Sequence, residues 1–258
     1  MNRLLCALAA GFFACASTPI ASAADVPAIV GWAQRVELGM LVSGVVGEVH
    51  VRPGQSVKKG DQLIGLDQRG FKSQAGRRLA EYRHAKAMLE EAKREDERAV
   101  ELYDRTVLSD FERNQALIAL KSAQAAAERA AAELVAARLD LERSVLVAPF
   151  DGVVLAVNAA PGQSVVSELQ SQPLVTVADD RSYHGRAQVD AAQAGTLSQG
   201  KLLDATLRGQ GLEATVAYVG FEPIGESDLG PRYELVVDLP SDPQQPLRVG
   251  ETVILHLD

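Results

Sequence analysis

Residues 44–57 read Gly-Val-Val-Gly-Glu-Val-His-Val-Arg-Pro-Gly-Gln-Ser-Val, and residues 152–165 read Gly-Val-Val-Leu-Ala-Val-Asn-Ala-Ala-Pro-Gly-Gln-Ser-Val. Nine of the fourteen positions agree, without a gap, at an offset of 108 residues. Each copy spells a short alternating strand, a Pro-Gly turn and a second short strand, because Pro fixes a negative φ and Gly supplies the positive φ that follows it. A turn alone does not demand Gln-Ser-Val after it, so the two copies mark an internal repeat. Gly44, Pro53, Gly54, Gly152, Pro161 and Gly162 are the expected structural turn positions of its halves.

The chain between the copies has another character. Residues 77–148 hold neither Gly nor Pro over 72 positions and are dense in Ala, Glu, Arg, Leu and Lys, which predicts helix. Leu79, Tyr82, Met88 or Leu89, then Leu117, Ala125, Ala132 and Leu139 recur near heptad spacing, so a two-helix coiled coil is expected with these residues in its seam. The break falls at Arg105–Ser109, where β-branched residues end the first helix and Ser109 offers an N-cap with Glu112 as its capping-box partner. Each arm is then ~35 residues and ~50 Å long. A rod of that length cannot bury itself in two short β motifs and must project.

Beyond the second copy, short strands return at Tyr183–Val189, Leu202–Leu207, Ala214–Val219, Tyr233–Asp238 and Thr252–Leu257, with Trp32–Leu38 before the first copy. These six suit a small antiparallel barrel, with a short helix within Asp190–Gly200. The first 23 residues read as a secretory signal: Arg3, an apolar run from Leu4 to Ala16, and Ala21-Ser22-Ala23 before the cleavage point. Both cysteines, Cys6 and Cys15, lie in that leader, and Phe12-Phe13-Ala14 lacks the Leu that would precede an acylated Cys15.

Several function classes fall away on composition. The formal net charge is −8, the wrong sign for holding a phosphate backbone, so no nucleic-acid partner is expected. The acidity is uneven: residues 68–147 carry 15 basic and 14 acidic side chains, whereas residues 183–258 carry 5 and 11. No nucleophile elbow, P-loop, zinc-protease helix or Cys-x-x-Cys is present, and His50, His84, His184 and His256 spell no triad. The expectation is no catalytic residue, no metal and no cofactor, since past the leader only Met40 and Met88 join those scattered histidines.

Two β half-motifs split by a long helical hairpin and followed by a barrel resemble the periplasmic adaptor, or membrane fusion protein, family of tripartite efflux pumps. The residues that carry the likeness are Gly44-Val45-Val46 through Val57-Lys58-Lys59-Gly60-Asp61-Gln62-Leu63, and Ala148-Pro149-Phe150-Asp151-Gly152-Val153-Val154. The resemblance implies an α+β fold, mostly β outside the hairpin: a lipoyl-like barrel-sandwich hybrid split by a coiled coil, followed by a small antiparallel β-barrel. It divides the chain into a signal peptide (1–23), an N-terminal segment with the first barrel strand (24–40), a first lipoyl-like half (41–67), the hairpin (68–147), a second half (148–180) and the barrel (181–258). The membrane-proximal domain of many relatives is expected to be absent.

The resemblance also supplies partners. Members that dock on outer-membrane channels of the TolC type carry Arg, Leu four residues on, and Ser seven beyond that, and this chain has Arg98, Leu102 and Ser109 at that spacing. By likeness, Arg98 and Ser109 donate hydrogen bonds to a partner's helix-end carbonyls and Leu102 fills an apolar groove. The implied function is a periplasmic adaptor between an inner-membrane transporter and that channel. The resistance-nodulation-division class is favoured for the transporter, with the ATP-binding-cassette class as the alternative. Self-association, six copies by the family pattern, would seal a duct. A scaffold without a pump is the other reading, and a lipoyl carrier is disfavoured because the carrier's lysine hairpin is replaced by the helical insertion.

Overall fold

The computed structural model describes residues 24–167, 172–227, 230–240 and 247–257, so the expected signal peptide lies outside the described residues. In chain order the elements are β1 (Ala24–Trp32), β2 (Arg35–Leu38), β3 (Gly44–Val49), β4 (Ser56–Val57), β5 (Gln62–Leu66), α1 (Arg69–Asp104), α2 (Asp110–Arg143) and β6 (Val145–Val147). There follow β7 (Gly152–Val157), β8 (Ser164–Val165), β9 (Val175–Ala178), β10 (Ser182–Asp190), α3 (Ala191–Thr196), β11 (Leu202–Leu207), β12 (Gln210–Ser227), β13 (Gly230–Pro240) and β14 (Thr252–Leu257). They fall into two compact units, one spanning Trp32–Tyr183 and the other formed from the chain up to Gly31 and from His184 onward.

The first unit is a sandwich of two four-stranded sheets, ordered β2-β9-β7-β4 and β6-β5-β3-β8. The repeat explains the order, because each copy gives its second short strand to the other copy's sheet. Gly44 pairs with Val165 and Gly152 with Val57, the same contact read at the 108-residue offset. The hydrogen bonds repeat too. Gly54 N–H donates to the Val154 carbonyl at 2.7 Å and Gly162 N–H to the Val46 carbonyl at 2.8 Å. Gln55 Oε1 accepts from Arg52 N–H at 3.1 Å, as Gln163 Oε1 does from Ala160 N–H at 3.0 Å. The recurring Gln therefore satisfies a turn donor that would otherwise lack a protein partner. Val46 and Val154, and Val57 and Val165, fill equivalent places in one buried core with Leu63, Ile64 and Leu174.

Four of the six turn positions are glycines, and three of them meet two distinct demands. Gly54 and Gly162 have φ of +83° and +87°, the left-handed region that the Pro-Gly turn demands. Gly152 has ordinary φ but no room, since a Cβ there would stand 2.1 Å from the Ala178 carbonyl oxygen.

The hairpin leaves the sandwich at β5 and returns at β6. Asp67 starts α1 by accepting the Arg69 N–H at 3.1 Å while its carboxylate also holds the Arg69 guanidinium. At the other root, buried Ser144 donates its hydroxyl to the Leu141 carbonyl and receives Gln68 Nε2. On α1 the expected Tyr82 and Leu89 do face inward and Leu79 is half-buried, but α2 has a different phase from the one expected. The inward positions of α1 are Ala75, Arg78, Tyr82, Ala85, Leu89, Ala92, Asp96, Ala99 and Tyr103; those of α2 are Ala116, Leu120, Ala123, Ala127, Ala130, Leu134, Ala137 and Leu141. Both alternate three and four, the coiled-coil seam. Leu117, Ala125, Ala132 and Leu139, expected in the seam, are exposed, as is Met88. An alanine-rich helix offers several apolar heptads at once, and the phase chosen turns Leu120, Leu134 and Leu141 of α2 and Tyr82 and Leu89 of α1 inward.

The second unit is a closed barrel in the order β1-β10-β13-β12-β11-β14. Here too the strand expected first was misplaced: Trp32–Leu38 is interrupted by a bend at Ala33-Gln34, and Arg35–Leu38 belongs to the sandwich, paired with Val175–Ala178. The barrel strand is Ala24–Trp32, whose Val26, Ala28 and Val30 alternate inward while Pro27 faces out. Pro27 disguised that alternation, since a proline demotes a strand reading. The β12–β13 hairpin runs longer than Ala214–Val219 and Tyr233–Asp238, with register shifts that begin between Val216 and Tyr218 and recur beyond Val219. Asp190 caps α3 in a capping box with Gln193.

Candidate functional site

The tip of the hairpin is built from the last turns of α1, a five-residue connection and the N-terminus of α2. α1 ends in a Schellman arrangement: Val107 N–H reaches the Leu102 carbonyl at 2.9 Å and Thr106 N–H the Tyr103 carbonyl at 2.8 Å. The residue that turns the chain is Thr106 at φ +59°, a β-branched side chain in the place where glycine is usual. Ser109 then caps α2. Glu112 N–H donates to Ser109 Oγ at 3.3 Å, and Ser109 N–H and hydroxyl both donate to Glu112 Oε2, at 3.0 and 2.7 Å. Those two donors hold the Glu112 carboxyl below its ordinary range.

The structure gathers Arg98, Leu102 and Ser109 at this one end. Arg98 is exposed and leans on Glu95 at 2.6 Å, one turn back. Leu102 is half-buried, and its carbonyl is the Schellman acceptor. Ser109 differs from the expected donor, because in the free chain its hydroxyl proton is already taken by Glu112. Behind them the Arg113 guanidinium lies 5.0 Å from the Tyr103 ring centroid, and a hydrogen bond with the Asp110 carboxylate pushes the Tyr103 phenol above its usual range.

Two tip residues escaped the sequence reading. Val107 and Phe111 are 70% and 76% exposed, large apolar groups flanking the cap with no place in the seam. The sequence signal was slight: Phe111 is a large apolar side chain in an otherwise polar helix start. The six turn residues of the repeat, by contrast, lie in the sandwich and belong to its construction. His184 and His256 sit on barrel strands beside Asp238 and Asp25, at 3.0 and 2.7 Å.

Comparison with known proteins bears on this architecture. The family model described as CzcB-like, barrel-sandwich hybrid domain matches residues 34–179. The macrolide export protein MacA of Escherichia coli O157:H7 is 29% identical over 183 residues, 65% of this chain and 49% of that protein. Its counterpart in Yersinia pestis is 28% identical over 190 residues, 68% and 51% of the two chains. The chain thus spans about half the length of the curated relatives it matches. Among solved structures, a membrane fusion protein of Streptococcus pneumoniae superposes with a TM-score of 0.74 at 17% identity, covering 91% of this chain and 98% of that one. MacA from Actinobacillus actinomycetemcomitans gives 0.66 at 21% identity, covering 92% and 79%. These structures share the fold: sandwich, inserted hairpin and barrel. The match over residues 34–179 spans the sandwich and its hairpin, and the chain belongs to the periplasmic adaptor, or membrane fusion protein, family with a CzcB-like barrel-sandwich hybrid domain.

Proposed function

We propose that this chain is the adaptor of a tripartite efflux system, with the hairpin tip docking on a TolC-type outer-membrane channel and other parts of the chain engaging an inner-membrane transporter. The observation that carries the reading is the convergence of Arg98, Leu102 and Ser109 on the tip of a hairpin inserted in an adaptor-family sandwich. Arg98 keeps most of its guanidinium donors for a partner's helix-end carbonyls, and Leu102, with Val107 and Phe111 beside it, offers apolar area to a groove. Ser109 acts first as the cap that holds this surface in shape; it exchanges Glu112 for a partner carbonyl only on docking. The role is mechanical, with export driven by the transporter.

The tip spacing suggests a resistance-nodulation-division transporter, whereas relatives named macrolide export protein favour the ATP-binding-cassette class. One experiment addresses partner and class together. The sequence has no cysteine beyond Cys15, so single cysteines replace exposed Asp110 at the tip and exposed Glu213 on β12, and cross-linking in intact cells is followed by mass spectrometry. The expected result is an outer-membrane channel captured from position 110 and a transporter, whose sequence names its class, captured from position 213. Self-adducts alone at both positions would leave a scaffold that bridges nothing. In the same cells Arg98→Asp should abolish export while leaving the melting temperature unchanged.

A further inference from the structure

The β12–β13 hairpin is most irregular just past Val219. Val219 pairs with Leu235 and Pro223 with Tyr233, so Gly220, Phe221 and Glu222 stand opposite Glu234 alone. A bulge of this kind re-aims the side chains it carries. Gly220 lies against Glu234, where an added Cβ would meet its atoms at 3.5 Å, and Phe221 is turned out of the strand, 99% exposed. A single exposed apolar side chain is ordinary on a protein surface. This one borders a cleft of about 440 Å³, within the size range of small-molecule sites.

The cleft runs between the hairpin and α3, wholly within the barrel unit. Tyr218, Phe221 and Tyr233 form an aromatic wall, and α3 lines the cleft with Ala191, Ala194 and Gly195. Gly195 has no left-handed φ, and a Cβ added there would meet nothing within 4 Å. Neither backbone conformation nor close packing therefore calls for glycine at that position, where it weakens a helix. What it leaves is room in front of the aromatic wall.

The charge around that wall favours one sign. None of the lining side chains is charged. Exposed Glu222 follows Phe221, and Glu234 accepts the Tyr218 hydroxyl at 2.9 Å. That hydrogen bond pushes the Tyr218 phenol above its ordinary range, against the opposing field of Arg186. The electron-rich faces of phenyl and phenol rings attract cations, whereas an anion here would meet two carboxylates and find no lining cation to hold it.

We propose that this cleft binds a flat aromatic cation, its rings stacked on Tyr218, Phe221 and Tyr233 against the small face of α3 and its charge directed to Glu222 and Glu234. The site goes beyond the adaptor role proposed above and requires neither channel nor transporter.

The test titrates the chain, produced in a bacterial periplasm and purified, with 9-aminoacridine, a flat cation at neutral pH, and with anthracene-9-carboxylate, an anion of similar shape, by isothermal titration calorimetry. The expected result is saturable one-to-one binding of the cation, with the anion at least about tenfold weaker. Phe221→Ala should weaken the cation about tenfold and leave the melting temperature unchanged, since the side chain stands clear of the barrel. Gly195→Leu should weaken it as far by filling the cleft, with an equal or higher melting temperature because leucine is the better helix former. Equal affinity for the two probes, no saturable heat with either, or full affinity in both variants would overturn the proposal. A dimer seen by analytical ultracentrifugation that dissociates in Phe221→Ala would overturn it too, by placing a second copy of the chain in the cleft. No channel or transporter enters the measurement, so its failure and that of the adaptor reading are separately visible.

Discussion

Glycine 152 and glycine 162 are equally small and are needed for different reasons. A Cβ at position 152 would lie 2.1 Å from the Ala178 carbonyl oxygen, a backbone atom that cannot rotate aside. Gly152→Ala should therefore cost about 3 kcal/mol, the upper end of overpacking penalties, read as a lowered urea midpoint. Around Gly162 nothing lies within 4 Å of the added atom, so the penalty for Gly162→Val is that of its φ of +87°. About 1–2 kcal/mol is expected there. Thr106 presents the reverse case: a β-branched residue already sits at φ +59°, and Thr106→Gly should raise stability by roughly 1 kcal/mol. The Asp67 carboxyl is lowered to about 2, chiefly by its hydrogen bond from the Arg69 side chain. A depressed carboxyl contributes stability that is fully present above its unfolded value and is lost as pH falls through the folded one. Acid melts between about pH 5 and 2 should accordingly be shallower in Asp67→Asn than in the parent.

At the scale of elements, the sequence disclosed kind better than phase. The absence of Gly and Pro from residues 77–148 disclosed most of the helices, although α1 begins at Arg69 with Gly70 and Gly76 inside it and the end of the run forms β6. Ser109 with Glu112 was enough for their boundary, because a capping box is a local signal. The seam was a non-local choice. Ala125, Ala132 and Leu139 form as regular a heptad as Ala123, Ala130 and Ala137, and only the partner helix decides which row is inside. Leu134→Ala, at a site 5% exposed, should cost about 2–4 kcal/mol. Leu139→Ala should stay within about 0.5 kcal/mol in the unassembled chain. Equal losses at the two positions would refute the phase. In the barrel the hidden strand was Ala24–Trp32, where Pro27 broke a pattern that Val26, Ala28 and Val30 otherwise keep. The tip divides similarly: spacing revealed Arg98, Leu102 and Ser109, while Val107 and Phe111 emerged only once the seam was known to exclude them.

For the whole molecule, the repeat matters more than any single strand. Because β4 and β8 change sheets, neither half of the sandwich has a complete hydrogen-bonded edge without the other. The barrel likewise takes β1 from before the hairpin and β14 from the far end of the chain. Covalent continuity through the tip is thus one of several ties between the two sides. A cut at Thr106 should not release two proteins: fragments 24–105 and 106–258, made separately and mixed, are expected to find each other and refold as a nicked molecule with the parent's circular dichroism spectrum. The hairpin tip is, in that sense, a permissive seam for splitting the gene, and it would tolerate an inserted tag or a protease site wherever docking is not required.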